Sequence, residues 1–256
     1  MKKIFPVILL IVVLIAGIFT YRALYVVPVI MYHSIAVAKT DKEYANSVSP
    51  DSFRYQMGFL RKHGYRVLSV DEYVEGIRVG KNFCCKSAVI TFDDGLENNY
   101  TQALNVLYEN RFPAGFFVIA DFVGHSGYMN WGQIKEVAQK NMTIGSHTFS
   151  HSYLPGLSPA EQIQEVVKSK KVIEDAIGKK VNYLVYPIGG FSEQVKNIVR
   201  DAGYKAAFAT NRGYNRFNRD LFELKRVRFK DSDSDVVLRT KLSGFYNLIR
   251  KSKSPY

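Results

Sequence analysis

Short apolar runs alternate with amphipathic stretches along most of the chain. The runs at 26–33 and 88–92, for example, are rich in β-branched and aromatic residues, which is typical of buried strands. Between such runs, apolar residues repeat at helical spacing, as at Phe53, Met57 and Leu60. The alternation predicts successive strand–helix units and therefore an α/β fold built on a parallel sheet.

The same pattern gives the bounds of the predicted elements. We place strands at 26–33, 65–70, 88–92, 115–119, 142–145, 183–186 and 206–209, and helices at 50–62, 71–77, 99–110, 131–139, 158–177 and 192–202. Ser49, Asp71 and Ser158 stand where helix caps are expected. No Pro- or Gly-rich linker and no internal repeat interrupts the series, so we expect one barrel-like domain with its functional groups at the strand carboxyl ends.

The amino end has the pattern of an export signal. Lys2 and Lys3 precede the run 4–19, which carries no charge. The run is longer than most signal-peptide apolar regions and has no small-x-small cleavage site after it, so we expect an uncleaved transmembrane anchor at 1–22. The lysines should stay cytoplasmic, leaving the domain at 23–256 outside the cell membrane. Cleavage would instead give a secreted protein.

Composition narrows the class of protein. The 256 residues are 47% hydrophobic, which is ample for a core, and the formal net charge is +12. Lysines and arginines are spread over many segments, with modest clusters at 168–171 and 250–253, and no nucleic-acid motif accompanies them, so we expect no nucleic-acid partner. An anionic envelope surface and plain solvation both remain open as explanations of the charge. Cys84 and Cys85 are adjacent, which excludes a disulfide framework.

Two acids close the strand at 88–92. Side chains alternate across a strand, so Asp93 and Asp94 should leave its end in different directions and can hold different roles. Their position at the carboxyl end of a core strand is where α/β folds bind ligands. Burying both acids without partners would cost several kcal/mol, so we expect a cation nearby. An ordinary Asp-Gly turn is the alternative interpretation.

A histidine pair follows a later apolar run. His147 and His151 are four residues apart, a spacing that can bring two imidazoles to one metal. Without a third ligand the pair would be a weak motif, and surface or capping roles would explain it as well. The acid pair supplies a candidate third ligand, and two His with one carboxylate form a hydrolytic metal set.

Three stretches together, 91–95, 147–151 and 186–189, resemble the polysaccharide deacetylase (NodB-homology) family over roughly the whole part after the anchor. The resemblance implies a distorted (β/α)7-type barrel and a metal-dependent hydrolase that removes N-acetyl groups from a polysaccharide. It implies Asp93 as the general base, and it implies Asp94, His147 and His151 as ligands of a divalent metal. Zinc is the default metal, although the ligand set suits others.

The third stretch departs from the family pattern. The family has an Arg where this chain has Val185, and a Tyr where it has Ile188. The Arg that would orient the base is therefore missing, and Arg226 is a candidate substitute. The Ile change is milder, because the family uses the backbone amide at that position, after Pro187, to hold the oxyanion.

The general acid of the family usually comes from a late His, yet no His follows His151. The stretch 31–34, which contains His33, resembles instead the subgroup that acts on poly-N-acetylglucosamine, in which the barrel is circularly permuted. This resemblance implies His33 as the general acid and a polymer such as poly-β-1,6-N-acetylglucosamine as the substrate. A buried strand histidine is the alternative interpretation.

Other functions stay open at this point. A peptidoglycan or chitin-oligomer deacetylase has the same motifs, because glycan linkage is distinguished by pocket shape over several loops. The missing Arg and Tyr favour another interpretation, a carbohydrate-binding domain whose catalytic site is disabled. Oxygenases use the same ligand types, but no feature of the chain marks an oxygen or 2-oxoacid site.

Overall fold

A computed structural model describes residues 24–41, 46–83, 86–140 and 142–256, together with the isolated residues Val13, Gly17 and Thr20. Apart from those three residues, the predicted anchor at 1–22 lies outside the described residues, as do Cys84 and Cys85. Within the described ranges, no helix combines the length and apolar character needed to cross a membrane.

A curved parallel sheet forms the centre of the fold. Its strands run in the order β10-β1-β5-β6-β7-β8-β9, and β4 pairs with the first half of β5. The short strands β2 and β3 form a separate parallel pair. The strands are β1 Val29–Tyr32, β2 Ser34–Ile35, β3 Ser47–Val48, β4 Arg66–Leu68, β5 Ser87–Phe92, β6 Gly115–Val118, β7 Thr143–Ser146, β8 Tyr183–Val185, β9 Ala206–Phe208 and β10 Val227–Arg228.

The stretch 224–228, which includes β10, lies between β9 and β1. The Ala209 amide donates to the Leu224 carbonyl at 2.8 Å, and the Arg226 amide donates to the Thr210 carbonyl at 3.0 Å, so the stretch begins beside the end of β9. It continues as β10, where Val227 pairs with Ile30 of β1. The sheet therefore curls back toward itself, and the carboxyl ends of its parallel strands face one common rim.

Helices occupy most of the connections between the strands, and two more follow β10. They are α1 Pro50–Lys62, α2 Val70–Arg78, α3 Leu104–Asn110, α4 Trp131–Gln139, α5 Pro159–Ile177, α6 Glu193–Asp201, α7 Asp235–Lys241 and α8 Tyr246–Ile249. A π-helical turn, Asn99–Ala103, leads into α3, and 3-10 turns occur at Ala120–Phe122, Leu154–Gly156 and Pro187–Gly189.

Both faces of the sheet are buried. Because successive side chains of a strand point to opposite faces, each strand contributes apolar side chains to both of them. Ile30 and Ile90 belong to the larger apolar cluster, between the sheet and the helices. Val29 and Val89 pack with Phe117 in a second cluster on the other face. Burying a side chain of this size contributes roughly 1.5–3 kcal/mol, so the two clusters together hold the strand ends in place.

The predicted α/β class and parallel sheet are confirmed, and the helix at 131–139 and the caps at Ser49 and Ser158 are as expected. The predicted cap Asp71 is wrong. The Ser69 hydroxyl accepts from the Glu72 amide at 3.0 Å and caps α2, while Asp71 accepts from the Tyr183 hydroxyl at 2.7 Å. The elements β10, α7 and α8 were not predicted, since each is too short to show a clear period.

Candidate active site

The predicted site residues meet in one cleft at the carboxyl rim of the sheet, with a volume of about 640 Å³. His33 follows β1, and Asp93 and Asp94 follow β5. His147 follows β7, two strands away from β5. Parallel strands bring these sequence-distant ends together because all of them stop at the same edge.

Asp94, His147 and His151 form a cluster in this cleft. The Nε2 atom of His147 lies 3.4 Å from Oδ1 of Asp94, and that of His151 lies 3.7 Å from the same oxygen. One ligand atom from each of the three residues lies within 4.8 Å of the others. The two imidazole nitrogens and the carboxylate oxygen therefore converge on one point.

The hydrogen bonding of His147 decides what this point can bind. Its Nδ1 lies 2.8 Å from the Val185 carbonyl, to which it donates, so in the neutral ring Nε2 carries a lone pair toward Asp94. A lone pair and a carboxylate oxygen facing each other repel unless Nε2 is protonated or a metal cation lies between them. The donor set, two imidazoles and a carboxylate, fits a divalent metal, and the carbonyl behind His147 is the usual support for a ligating His.

Unusual backbone conformations bring the ligands into place. Asp94 has φ 71° and His151 has φ 64°, in the left-handed region that non-glycine residues seldom adopt. Thr148, a β-branched residue, also has φ 64°. Such residues cost on the order of 1–3 kcal/mol each and persist where the surroundings hold them.

Glu165 of α5 supplies part of that hold. Its Oε2 accepts from the amides of Phe149 and Ser150 at 3.0 and 2.9 Å, and its Oε1 accepts from the Ser150 hydroxyl at 2.6 Å. The Thr148 hydroxyl accepts from the His151 amide at 3.2 Å. The turn between the two histidines is thus pinned from outside the cleft.

Asp93 turns away from this cluster and meets Arg226. The two guanidinium nitrogens donate to its two oxygens at 2.6 and 2.7 Å. Arg226 is also held by the Ala209 carbonyl at 2.9 Å and the Thr91 hydroxyl at 3.1 Å. The expected cation near the acid pair is therefore Arg226, which the chain supplies from the start of β10.

Opposing effects set the pKa of Asp93 and of His33. Burial raises the pKa of Asp93, but the charge and hydrogen bonds of Arg226 outweigh it and hold that pKa well below its ordinary value. Burial lowers the pKa of His33 more than the two neighbouring carboxylates raise it. His33 Nε2 lies 3.8 Å from Oδ2 of Asp93. The resting site thus pairs an ionised acid with a neutral imidazole.

The third stretch forms the next part of the rim. Ile188 lines the cleft, is 57% exposed and has φ 58°, while Pro187 before it is buried and does not line the cleft. Val185, where the family pattern has Arg, contributes its backbone carbonyl to His147 instead.

The structure thus brings to one cleft all but Pro187 of the residues that the sequence singled out.

Sequence reasoning missed the positioning contacts of Thr91, Glu165 and the Val185 carbonyl. Thr91 lies within the quoted 91–95 stretch and was a visible candidate. Glu165 lies within a helix whose pattern gives no sign of its partner.

Comparison with known proteins gives consistent results. The polysaccharide deacetylase family profile matches residues 80–207. The Bacillus subtilis protein YxkH, whose name gives a provisional assignment as a polysaccharide deacetylase, is 31% identical over 201 residues, which cover 78% of this chain and 70% of that protein. The poly-β-1,6-N-acetyl-D-glucosamine N-deacetylase of Staphylococcus aureus is 26% identical over 222 residues, covering 81% of this chain and 76% of its own.

Solved structures show the same likeness. The Streptococcus pyogenes deacetylase PplD, solved in complex with acetate, has a TM-score of 0.77 at 28% identity and covers 84% of this chain and 97% of its own. The polysaccharide deacetylase BC0361 from Bacillus cereus has a TM-score of 0.73 at 28% identity, over 84% of this chain and 68% of its own. The match of the profile to half of the chain and the likeness to YxkH establish that the protein belongs to the polysaccharide deacetylase family.

Proposed function

We propose that the protein is a metal-dependent N-deacetylase acting on an N-acetylglucosamine polymer such as poly-β-1,6-N-acetylglucosamine. The observation that carries the proposal is the division of roles between two adjacent acids. Asp94 joins His147 and His151 in a metal-binding set, while Asp93 faces Arg226 and His33. Family membership and the Staphylococcus aureus relative support the reaction and the substrate.

The residues of the cleft have separate tasks in this proposal. A divalent metal held by Asp94, His147 and His151, with zinc as the default, supplies Lewis acidity for the acetamide carbonyl and the attacking water when it is bound. Asp93 accepts a proton from that water, and Arg226 keeps its carboxylate ionised and fixed in orientation. The Ile188 amide donates to the carbonyl oxygen as that oxygen gains negative charge, and Pro187 supports the turn.

His33 protonates the departing nitrogen. Its lowered pKa means that the ring is mainly neutral at pH 7 before reaction. The proton that Asp93 removes from water can reach His33 across the 3.8 Å between them, so one proton serves both steps. The ring then gives this proton to the amine, and both groups return to their resting states.

The arrangement of the chain supports two further parts of the proposal. His33 comes from β1, which lies between β10 and β5, as expected for a circularly permuted barrel whose general acid is supplied by the amino-terminal strand. The uncharged run at 4–19 after two lysines supports a single-pass anchor in the cell membrane with the catalytic domain outside.

Acetate release from N-acetylglucosamine oligomers tests the function. We expect release that a chelator abolishes and added zinc restores, with β-1,6-linked oligomers preferred over β-1,4-linked ones. Release that continues in excess chelator would contradict metal dependence. Glycan binding without release, in protein shown to contain metal, would indicate a disabled carbohydrate-binding domain.

A further inference from the structure

The active-site cleft carries an excess of positive charge. Seven arginines and lysines line the cleft, against the two carboxylates of Asp93 and Asp94. All seven lie between residues 212 and 253, whereas Asp94, His147 and His151 come from an earlier part of the chain. The positive charge of the cleft is therefore supplied by the last part of the chain.

Three of the seven lie close to carboxylates. Arg226 is neutralised by Asp93, and Lys241 donates to both oxygens of Asp233 at 2.7 and 2.6 Å. Burial lowers the pKa of Arg228, and the nearby charges of Asp93 and Asp94 oppose that shift. We call the other four the cationic wall: Arg212, Lys230, Arg250 and Lys253.

The partners of the wall residues are mostly neutral oxygens. Arg250 donates to the Arg226 carbonyl at 2.7 Å. Arg212 donates to backbone oxygens, including that of Ile188 at 3.1 Å. Lys230 and Lys253 are exposed, and neither forms an ion pair with a carboxylate in the described part of the chain.

The wall is also held in position by its backbone. Lys253 donates its amide to the Asn211 carbonyl at 3.1 Å and accepts from the Gly213 amide at 3.0 Å. The Lys230 amide donates to Asp233 at 2.9 Å.

Burial lowers the pKa of Arg250 to about 10, and one of its terminal nitrogens has no hydrogen-bond partner in the described residues. Concentrating unneutralised cations costs free energy through mutual repulsion, which a bound anion removes.

We propose that the cationic wall binds an anionic substituent of the glycan, a phosphate or a carboxylate, carried on or beside the sugar whose acetamide is hydrolysed. Resting on the proposed deacetylase function, this inference narrows the substrate to a negatively charged N-acetylglucosamine glycan. Arginine and lysine side chains suit such groups because their hydrogen bonds to charged oxygens are stronger than those to neutral ones. A neutral oligomer would leave the side chains of the wall solvated.

The test compares kcat/KM for three oligomers of equal length on the metal-loaded full chain: unsubstituted, phosphate-substituted and carboxylate-substituted. We expect one or both charged oligomers to be preferred by roughly 10-fold, the effect of one charge-assisted contact, with the preference shrinking as salt rises. Preference for the phosphate or for the carboxylate form identifies the substituent.

Matched variants assign the preference to the wall. The double variant Lys230→Gln, Lys253→Gln should reduce the preference to about threefold or less, since two exposed side chains together make a modest contribution to binding a charged group. Lys135→Gln with Lys171→Gln, on exposed helix positions outside the cleft, removes the same charge and should leave the preference unchanged.

The outcomes separate this inference from the proposed function. Equal kcat/KM on all three oligomers, or a preference for the neutral one, would overturn the charged-substrate inference while leaving the deacetylase standing. A preference that both double variants reduce equally would assign the effect to net charge and overturn the role of the wall. Absence of acetate release from every oligomer by metal-loaded protein would instead reject the proposed function.

Discussion

Arg226 and Asp93, 133 residues apart in the chain, form a two-point ion pair inside the domain. Nη1 and Nη2 donate to Oδ1 and Oδ2 at 2.6 and 2.7 Å, and the exposed fractions of the two side chains are 0% and 2%. The Arg226 guanidinium also donates to the Ala209 carbonyl and the Thr91 hydroxyl, and these contacts hold it in one orientation. The pair therefore fixes both the charge and the plane of the Asp93 carboxylate.

Removing the guanidinium should damage stability and catalysis together. Arg226→Met leaves the buried Asp93 charge without its partner, which costs about 3–5 kcal/mol in other proteins. Arg226→Lys keeps the charge but loses the planar fork, so it should destabilise less and still lower kcat, because the carboxylate is no longer held in one plane. Urea unfolding and kcat on both variants check this. A Met variant as stable and active as the wild type would show that the pair has neither role.

The ion pair also predicts how stability depends on pH. The folded-state pKa of Asp93 lies below its ordinary value of 3.8. As pH falls, Asp93 is therefore protonated at a higher pH in the unfolded chain than in the folded chain. The contribution of Asp93 is thus present above about pH 4 and is lost as pH falls toward the folded-state pKa.

Asp93→Asn removes this titration. In chelator-treated protein, the urea midpoint of the variant should fall less steeply than that of the wild type between about pH 5 and pH 2.5. Chelator treatment keeps metal release out of the comparison. Parallel curves for the two proteins would mean that Asp93 has a similar pKa in the folded and unfolded chains.

His33 offers a test of the proposed acid. His33→Ala should lower kcat by roughly 10²- to 10⁴-fold while leaving the bound metal near the wild-type amount, since His33 is not part of the ligand cluster. Asp94→Ala is the contrasting variant and should lose the metal itself. If His33 only packs at the strand end, activity should fall no further than the folded fraction. Near-normal kcat in folded, metal-loaded His33→Ala would remove it from the mechanism.

Glu165 should influence metal binding without touching the metal. Glu165→Ala releases the amides of Phe149 and Ser150, so the turn that presents His151 loses its support. Loss of such supporting contacts typically weakens metal affinity about 10- to 100-fold. Asp175→Ala, an exposed acid on the same helix, is the matched control and should bind metal like the wild type. Equal zinc affinities for the two variants, measured by competition with a chelator, would contradict the role of Glu165.

Local pattern in the sequence was sufficient for most of the elements. The strand at 88–92 and the helix at 131–139 were found because their apolar periods depend only on near neighbours. The different directions of the Asp93 and Asp94 side chains followed from the alternation of side chains along a strand. The pairing of His147 with His151 was visible because only four residues separate them.

Other features depend on contacts between distant parts of the chain. Arg226 was only a candidate from sequence, because nothing near it shows that the stretch 224–228 lies between β9 and β1 and brings the Arg226 side chain to Asp93. Glu165 has an ordinary position in a helical pattern, and its partners lie in a loop outside that helix. The cationic wall combines a loop after β9 with Lys230, which follows β10, and with residues near position 250. Local propensities decide where strands and helices form, but the order in which strands pair decides which of their ends become neighbours.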